Sequence, residues 1–279
     1  MTGGLPTADG RPVIMGVVNV TPDSFSDGGS WFEPSAAIAH GRALVVDGAD
    51  LVDVGGESTR PGAERPSVAE ELRRVLPVVE ALADEGVIVS VDTMRAEVAV
   101  RALDAGALLV NDVSGGLADP DMVALVAERG CPYVAMHWRG HSTQMQSRAV
   151  YADVVAEVCD ELAARRDAIL TAGVAAERLV LDPGLGFAKH APHNWALLAH
   201  LDALVALGQP VLIGASRKTF LGRVGVPEDA DPRPPADRDL ATAATSVVCA
   251  QGRVWGVRVH DVVGTRDAFA VLREVAAHR

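Results

Sequence analysis

The sequence has few cysteines, few lysines and no long apolar run. Its three cysteines, Cys131, Cys159 and Cys249, lie far apart with neither CxxC nor histidine spacing, which predicts ordinary core thiols in a reducing, cytoplasmic compartment. No apolar run approaches the roughly 20 residues that a membrane helix needs, and the first residues lack the layout of a signal peptide. The 37 acidic residues outnumber the 25 basic ones, which argues against non-specific nucleic-acid binding.

What the sequence does contain is a series of short apolar runs separated by segments with helical spacing of apolar residues. The runs occupy residues 13–18, 51–54, 87–91, 108–110, 133–136, 179–181, 211–215 and 254–257. Short continuous apolar strands that alternate with helices indicate a parallel sheet covered by helices. Eight such units in 279 residues predict a single-domain α/β chain, a (β/α)₈ TIM barrel over residues 1–279, with a flexible lead-in at 1–11.

Two longer loops interrupt this pattern. Residues 226–237 contain four prolines and are predicted to form an exposed insertion between a short helix near 219–223 and a helix at about 238–251. Because the eighth strand still follows, the insertion does not indicate a second domain. Residues 137–151 are predicted to form the other long loop, after strand five.

Nearly every apolar run ends on a polar or charged residue, and the carboxyl ends of barrel strands form the active face. Asp92, Asn111 and Asp182 follow three different runs. Two carboxylates and an amide in an apolar cup suit a ligand with several N–H donors, such as a guanidine-like or aminopyrimidine ring. The alternative is that these groups cap helices, in which case each needs its own backbone donors.

The last two runs end on cations and hydroxyls. Arg217, Lys218, Arg258 and His260 are predicted at the same face, where such groups suit a phosphate or diphosphate. The only two lysines of the chain, Lys189 and Lys218, both fall in predicted active-face loops. This favours a task that a guanidinium cannot fill, and chance is the alternative.

The loops after strands one and two, at 19–29 and 55–62, collect acids, hydroxyls, glycines and an amide. A surface turn with local caps is the alternative for the first loop. In the second loop, Gly55 and Gly56 allow the backbone to approach a ligand or serve tight packing alone.

Six motifs, in order along the chain, resemble the motif series of the dihydropteroate synthases. They are MGVVNVTPDSFSDGG (15–29), DVGGESTRPG (53–62), SVDT (90–93), NDVSGG (111–116), DPGLGF (182–187) and GASRK (214–218). The resemblance implies a cytoplasmic transferase of folate synthesis and a target of sulfonamides. It implies condensation of 6-hydroxymethyl-7,8-dihydropterin diphosphate with para-aminobenzoate, giving 7,8-dihydropteroate and diphosphate. It also implies a homodimer and no membrane or nucleic-acid partner.

The resemblance further implies a role for each matching residue. The pterin is expected to contact the acceptor set, a methionine and a lysine: Asp92, Asn111, Met136, Asp182 and Lys218. The diphosphate is expected at Thr59, Arg258 and His260, with the Mg²⁺ cofactor at Asn19. The para-aminobenzoate pocket is expected at Phe25, Ser58, Thr59, Pro61, Phe187 and Lys218. The catalytic residues are expected to be Asp27 and Lys218, in an SN1-like displacement in which Asp27 stabilises the cation.

Two other interpretations are open on the sequence. The methyltetrahydrofolate:corrinoid methyltransferases bind a pterin through a similar Asp/Asn/Asp set. They need no diphosphate site, so Asn19, Arg258 and His260 argue against this interpretation. A non-catalytic paralogue that binds a pterin or serves as an interaction protein should have gaps in the first two loops, and both loops are intact here. Release of diphosphate with and without para-aminobenzoate distinguishes these interpretations.

Overall fold

Eight short parallel strands form the centre of the computed structural model, which describes residues 4–21, 34–58, 65–141, 145–227 and 229–279. The strands are β1 (Val13–Asn19), β2 (Leu51–Gly55), β3 (Val89–Asp92), β4 (Leu109–Asp112), β5 (Tyr133–Met136), β6 (Leu179–Asp182), β7 (Leu212–Ile213) and β8 (Gly256–Val259). Their order in the sheet is β6-β5-β4-β3-β2-β1-β8-β7. A parallel bridge between Leu181 and Val211 joins the two ends of this sheet. The predicted (β/α)₈ barrel is confirmed.

Helices follow the strands and cover the outside of the barrel. They are α1 (Pro34–Asp47), α2 (Val68–Asp84), α3 (Ala96–Asp104), α4 (Met122–Arg129), α5 (Val154–Thr171), α6 (Ala191–Ala199), α7 (Leu201–Val205), α8 (Asp239–Gln251) and α9 (Val262–Ala277). Short 3₁₀ turns lie at Met145–Arg148, Ala176–Arg178, Thr219–Arg223 and Pro235–Arg238. In the part of the chain that the structure describes, no helix combines the length and apolarity of a membrane span.

Helix α2 illustrates how local sequence fixes these elements. The Ser67 hydroxyl accepts a bond from the Glu70 backbone N–H at 3.2 Å and so caps the helix start. Val75, Val78 and Leu82 follow at helical spacing and are fully buried, because this spacing places them on the one face that meets the barrel.

The interior of the barrel has two layers with opposite chemistry. Its lower layer is apolar and consists of Val13, Met15, Leu51, Leu109, Val134, Val180 and Leu212. Side chains two positions further along a strand point the same way, so Asp53, Asn111 and Asp182 lie above Leu51, Leu109 and Val180. The period of the strands therefore converts an apolar floor into a polar layer at the carboxyl ends.

The lead-in makes defined contacts beneath this floor. Leu5 and Ala8 pack on the lower apolar layer, and the Trp255 indole N–H donates to the Pro6 carbonyl at 3.0 Å. Arg11 pairs with Asp50 at 2.7 Å. These contacts place residues 5–11 across the bottom of the barrel.

Three strands differ in extent from the predicted runs, and β3 begins at Val89 rather than at residue 87. β7 is only two residues long, because Val211 pairs with Leu181 through an isolated bridge and the chain turns away after Ile213. β8 begins at Gly256 rather than at residue 254, because Arg253, at φ +57°, completes the turn out of α8. The predicted helix at 238–251 is confirmed as α8.

Candidate active site

One arginine and two carboxylates form the centre of the polar layer. The Arg258 side chain of β8 donates from Nε to Asp53 Oδ2 at 2.6 Å and from Nη2 to Asp92 Oδ2 at 2.9 Å. Asn111 donates from Nδ2 to the same Asp53 oxygen at 2.9 Å. Strands β2, β3, β4 and β8 thus bring their polar residues to one network.

The charges of this network are not balanced, since two carboxylates share one guanidinium. Burial raises the pKa of Asp92 to about 8, with Arg258 opposing the shift and Asp53 adding to it. Burial also acts to lower the pKa of Arg258, but the two carboxylates outweigh it and the net shift is upward. Asp53 Oδ1 and the Ser90 hydroxyl are buried with no hydrogen-bond partner among the described residues. The layer therefore has unused capacity to accept and donate hydrogen bonds.

Asp182 and Lys218 form a second charged pair of groups beside this network. Asp182 accepts from the Gly184 N–H at 2.7 Å, and burial raises its pKa while Lys218 opposes the shift. Lys218 donates to the Leu185 carbonyl, and burial lowers its pKa to about 8. A Cβ added to Gly214 would lie 3.8 Å from Asp182 Oδ2 and 4.0 Å from Lys218 Nζ. Glycine there leaves the space between the two charges open.

An apolar surface adjoins these polar groups. Met94, Val113 and Met136 form a buried cluster against which Phe187 packs, and Lys218 Nζ lies 4.7 Å from the centroid of the Phe187 ring. Ser58 and Phe187 line the same groove. A flat ring could therefore contact a thioether on one side and reach carboxylates at its edge.

The ends of β7 and β8 are tied together by Ser216 and His260. The Ser216 hydroxyl lies 2.9 Å from His260 Nδ1 and accepts from the His260 backbone N–H at 3.1 Å. Arg217 has a left-handed φ of +59°, which costs free energy in a residue other than glycine. Its guanidinium donates twice to Asp239, each at 2.8 Å, and these bonds help to hold the conformation. The backbone just before Lys218 is thereby fixed.

Asn19 ends β1 and pairs in register with Gly55 of β2, so it lies at the mouth beside the second loop. Within the described ranges, no group of three His, Cys, Asp or Glu side chains could hold a metal ion. Mg²⁺ keeps several waters and binds through few protein oxygens plus substrate phosphates. A single amide oxygen beside the polar layer therefore fits the predicted cofactor.

The structure brings together most of the sequence-predicted site residues. The residues that meet at the barrel mouth are Asn19, Ser58, Asp92, Asn111, Met136, Asp182, Phe187, Lys218, Arg258 and His260. The predictions for Phe25, Asp27, Thr59 and Pro61 lie outside the described residues.

Sequence reasoning missed Asp53, which accepts from two predicted site residues. The signal was present, because Asp53 is the one charged residue inside the apolar run of strand two. Its position within the strand, rather than after it, concealed its place in the polar layer.

Known proteins resemble this chain over most of its length. The family model described as pterin binding enzyme matches residues 15–260. The chain is 55% identical over 260 residues to the dihydropteroate synthase of Mycobacterium leprae, covering 93% of this chain and 92% of the relative. It resembles the Xanthomonas albilineans dihydropteroate synthase solved with 4-aminobenzoic acid at a TM-score of 0.87 and 46% identity, covering 96% of this chain and 94% of that one. A structure of dihydropteroate synthase from the same organism in complex with 7,8-dihydropteroate has a TM-score of 0.83 and 43% identity, covering 96% and 94%.

Proposed function

The chain belongs to the dihydropteroate synthase family, and we propose that it joins 6-hydroxymethyl-7,8-dihydropterin diphosphate to para-aminobenzoate, giving 7,8-dihydropteroate and diphosphate. The observation that carries the proposal is the layered barrel mouth, in which Asp92, Asn111 and Asp182 lie at the carboxyl ends of three strands, beside the apolar surface of Met94, Val113 and Met136. Relatives solved with 4-aminobenzoic acid and with 7,8-dihydropteroate support the same pair of ligands. The chain is a transferase.

The pterin ring would lie in the polar layer. Its aminopyrimidine edge carries N–H donors, for which Asp182 and Asp92 supply acceptors, and Asn111 can both donate and accept. Lys218 would donate to the ring, and Met136 would pack against its face. A buried carboxylate that gains N–H partners is relieved of part of its desolvation cost, which gives the ring a reason to prefer this site.

The diphosphate would lie toward β8. Arg258 uses Nε and Nη2 for its two aspartates, so Nη1 can still donate to an anion, and His260 ends the same strand. Thr59 would add a hydroxyl, as the family pattern implies. Asn19 would hold Mg²⁺, which when bound would neutralise part of the diphosphate charge.

The reaction would proceed by loss of the leaving group before attack. The bond between the pterin methylene carbon and the diphosphate oxygen breaks, and both electrons leave with the diphosphate. The arylamine nitrogen then donates its lone pair to the resulting cation and releases a proton. Arg258 and His260 would stabilise the departing charge, and Asp27 would stabilise the cation. Catalysis would then depend on positioning and electrostatics, and would need no covalent bond to the protein.

The para-aminobenzoate would enter above the pterin. Phe187 and Ser58 line one groove, and Lys218 lies over the Phe187 ring, so an aromatic carboxylate would find both a ring and a cation there. Phe25, Thr59 and Pro61 would complete this pocket, as the family pattern implies.

The test is release of diphosphate by the purified protein with Mg²⁺, measured with and without para-aminobenzoate. We expect release that depends on the arylamine and yields dihydropteroate by mass spectrometry. The control is Thr245→Val, which removes a part-buried hydrogen bond within α8 and should retain the activity. Release that is independent of para-aminobenzoate, or binding of pterin without any turnover, would contradict the proposal.

A further inference from the structure

Lys189 is a buried lysine that the proposed reaction does not use. Only 3% of its surface is exposed, and burial lowers its pKa to about 7, with Asp182 opposing this shift. Its Nζ donates to the Phe187 carbonyl at 3.1 Å and lies 2.9 Å from His137 Nδ1. Burial of an amine is costly unless its hydrogen bonds are made. The contacts with His137 and the Phe187 carbonyl therefore offset part of the cost of burying Lys189.

His137 connects Lys189 to a carboxylate on α5. The second ring nitrogen of His137, Nε2, lies 3.0 Å from Glu161 Oε2. The ring must therefore donate from Nε2 to the carboxylate and accept at Nδ1 from the amine, because no other tautomer makes both bonds. Burial lowers the pKa of His137 to about 4, so the ring is neutral. The bond from His137 is also the main cause that lowers the pKa of Glu161 to about 2.

A neutral imidazole thus joins the amine of Lys189 to the carboxylate of Glu161, and the two groups interact through the ring rather than directly. Arg139 donates to Glu161 and Glu157 and fixes the carboxylate end of this chain. A guanidinium in place of the amine would be larger and planar, and the enclosed position between His137 and Phe187 suits a compact donor.

The loop that Lys189 holds is a strained one. Ala188, between Phe187 and Lys189, has a left-handed φ of +48°, a conformation that disfavours residues other than glycine. The Tyr151 hydroxyl donates to the Ala188 carbonyl at 3.0 Å. Lys218 donates to the Leu185 carbonyl on the other side of Phe187. The two lysines of the chain thus donate hydrogen bonds to backbone carbonyls of the same segment, residues 185–187.

We infer that Lys189 is a positioning residue, which acts through the Phe187 carbonyl and is anchored by His137 and Glu161. It fixes the Phe187 ring in the groove where the arylamine would bind. The identity of the substrate in this inference rests on the proposed function. The role of Lys189 in holding the loop does not. This role predicts that loss of Lys189 weakens use of para-aminobenzoate more than binding of the pterin, because Lys189 bonds to the Phe187 carbonyl and to His137, neither of which is expected to bind the pterin.

The experiment uses Lys189→Met and, as a milder change, Glu161→Gln, whose side chain is 43% exposed and whose substitution should not prevent folding. Thr245→Val is the control for a general loss of stability. We expect Lys189→Met to raise the KM for para-aminobenzoate about fivefold, the equivalent of one net hydrogen bond, and Glu161→Gln to raise it about twofold. The pterin Kd by calorimetry should change less than twofold in either variant. An unchanged KM in the folded variants, or an equal loss of pterin affinity, would overturn the inference.

A second readout needs no substrate. The Phe187 N–H donates to the Gly184 carbonyl at 3.0 Å, and the Gly186 N–H donates to Asn194 Oδ1 at 2.7 Å, so hydrogen exchange of residues 183–190 reports whether the loop is held. Exchange should be faster in both Lys189→Met and Glu161→Gln than in Thr245→Val. Equal exchange in all three would refute the role of Lys189. Failure of the wild-type protein to turn over would refute only the proposed function.

Discussion

Replacing Arg258 with methionine should destabilise the protein, and neutralising Asp53 in that variant should recover part of the lost stability. The substitution keeps an unbranched side chain of similar length but removes the only cation that bonds to the Asp53 and Asp92 carboxylates in the described network. Asp53 is fully buried, so its charge would be left with the Asn111 amide as its remaining partner. The loss is therefore more than that of two hydrogen bonds.

The size of the effect follows from this burial. Removing one partner of a buried ion pair costs about 3–5 kcal/mol, because it leaves an uncompensated charge. Unfolding entropy of about 2 cal/mol/K per residue gives about 0.6 kcal/mol/K for a chain of this length. The expected fall in Tm is thus about 5–8 °C.

The assay is thermal and urea unfolding of four proteins in a double-mutant cycle: wild type, Arg258→Met, Asp53→Asn and the double variant. Asp53→Asn should restore about 1–3 kcal/mol in the methionine background, because it removes the stranded charge, and should not stabilise the wild type. Unfolding of Arg258→Met within about 1 kcal/mol of wild type would refute the reasoning. An Asp53→Asn effect of equal size in both backgrounds would do the same.

Three further predictions concern other parts of the site. Asp182→Ala should weaken pterin binding by about 1.5–3 kcal/mol, the contribution of a charge-assisted bond; unchanged affinity by calorimetry would show that the pocket is assigned wrongly. EDTA should suppress turnover far more than binding of unphosphorylated pterin, and full activity in EDTA would remove the metal role of Asn19. Folding raises the pKa of Asp92 to about 8. The protonated carboxyl therefore stabilises the folded state, fully below its ordinary pKa, and this stabilisation is lost as the pH rises through 8. Lys189 and Lys218, with pKa values lowered to about 7 and about 8, titrate in the same range and act in the opposite direction. Measured against Asp92→Asn, which retains both lysines, wild type should therefore lose about 2–3 kcal/mol between pH 6 and 9 in urea unfolding; parallel profiles would contradict the shift.

The fold could be predicted from the sequence because a parallel barrel strand is buried on both faces and reads as a short apolar run. The runs at 133–136 and 179–181 match β5 and β6 to within one residue. The run at 211–215 did not, since apolarity alone cannot show where pairing ends. The start of β7 depends on the bridge between Val211 and Leu181 of the neighbouring strand, and its end depends on the turn at Ala215 to Lys218.

The site could be predicted one residue at a time, but its pairing could not. The end of a strand is visible in sequence, so Asp92, Asn111 and Asp182 were found. That Arg258 would bond to Asp53 and Asp92 depends on β8 closing the barrel beside β1, which places residues more than 160 positions apart in contact. Strand order is a property of the closed fold, and no local pattern encodes it.

Lys189 stands out in the sequence because lysine is scarce, and its spacing predicts a position in an active-face loop, but no local pattern predicts its role. Its partners, however, come from β5 through His137 and from α5 through Glu161, and they become neighbours only when the barrel wall is complete. Residues that contact a ligand can be recognised in the sequence as polar or charged side chains at the end of a strand. Lys189 positions Phe187 through a backbone carbonyl, a group that every residue has, so its role can be recognised only from the three-dimensional structure.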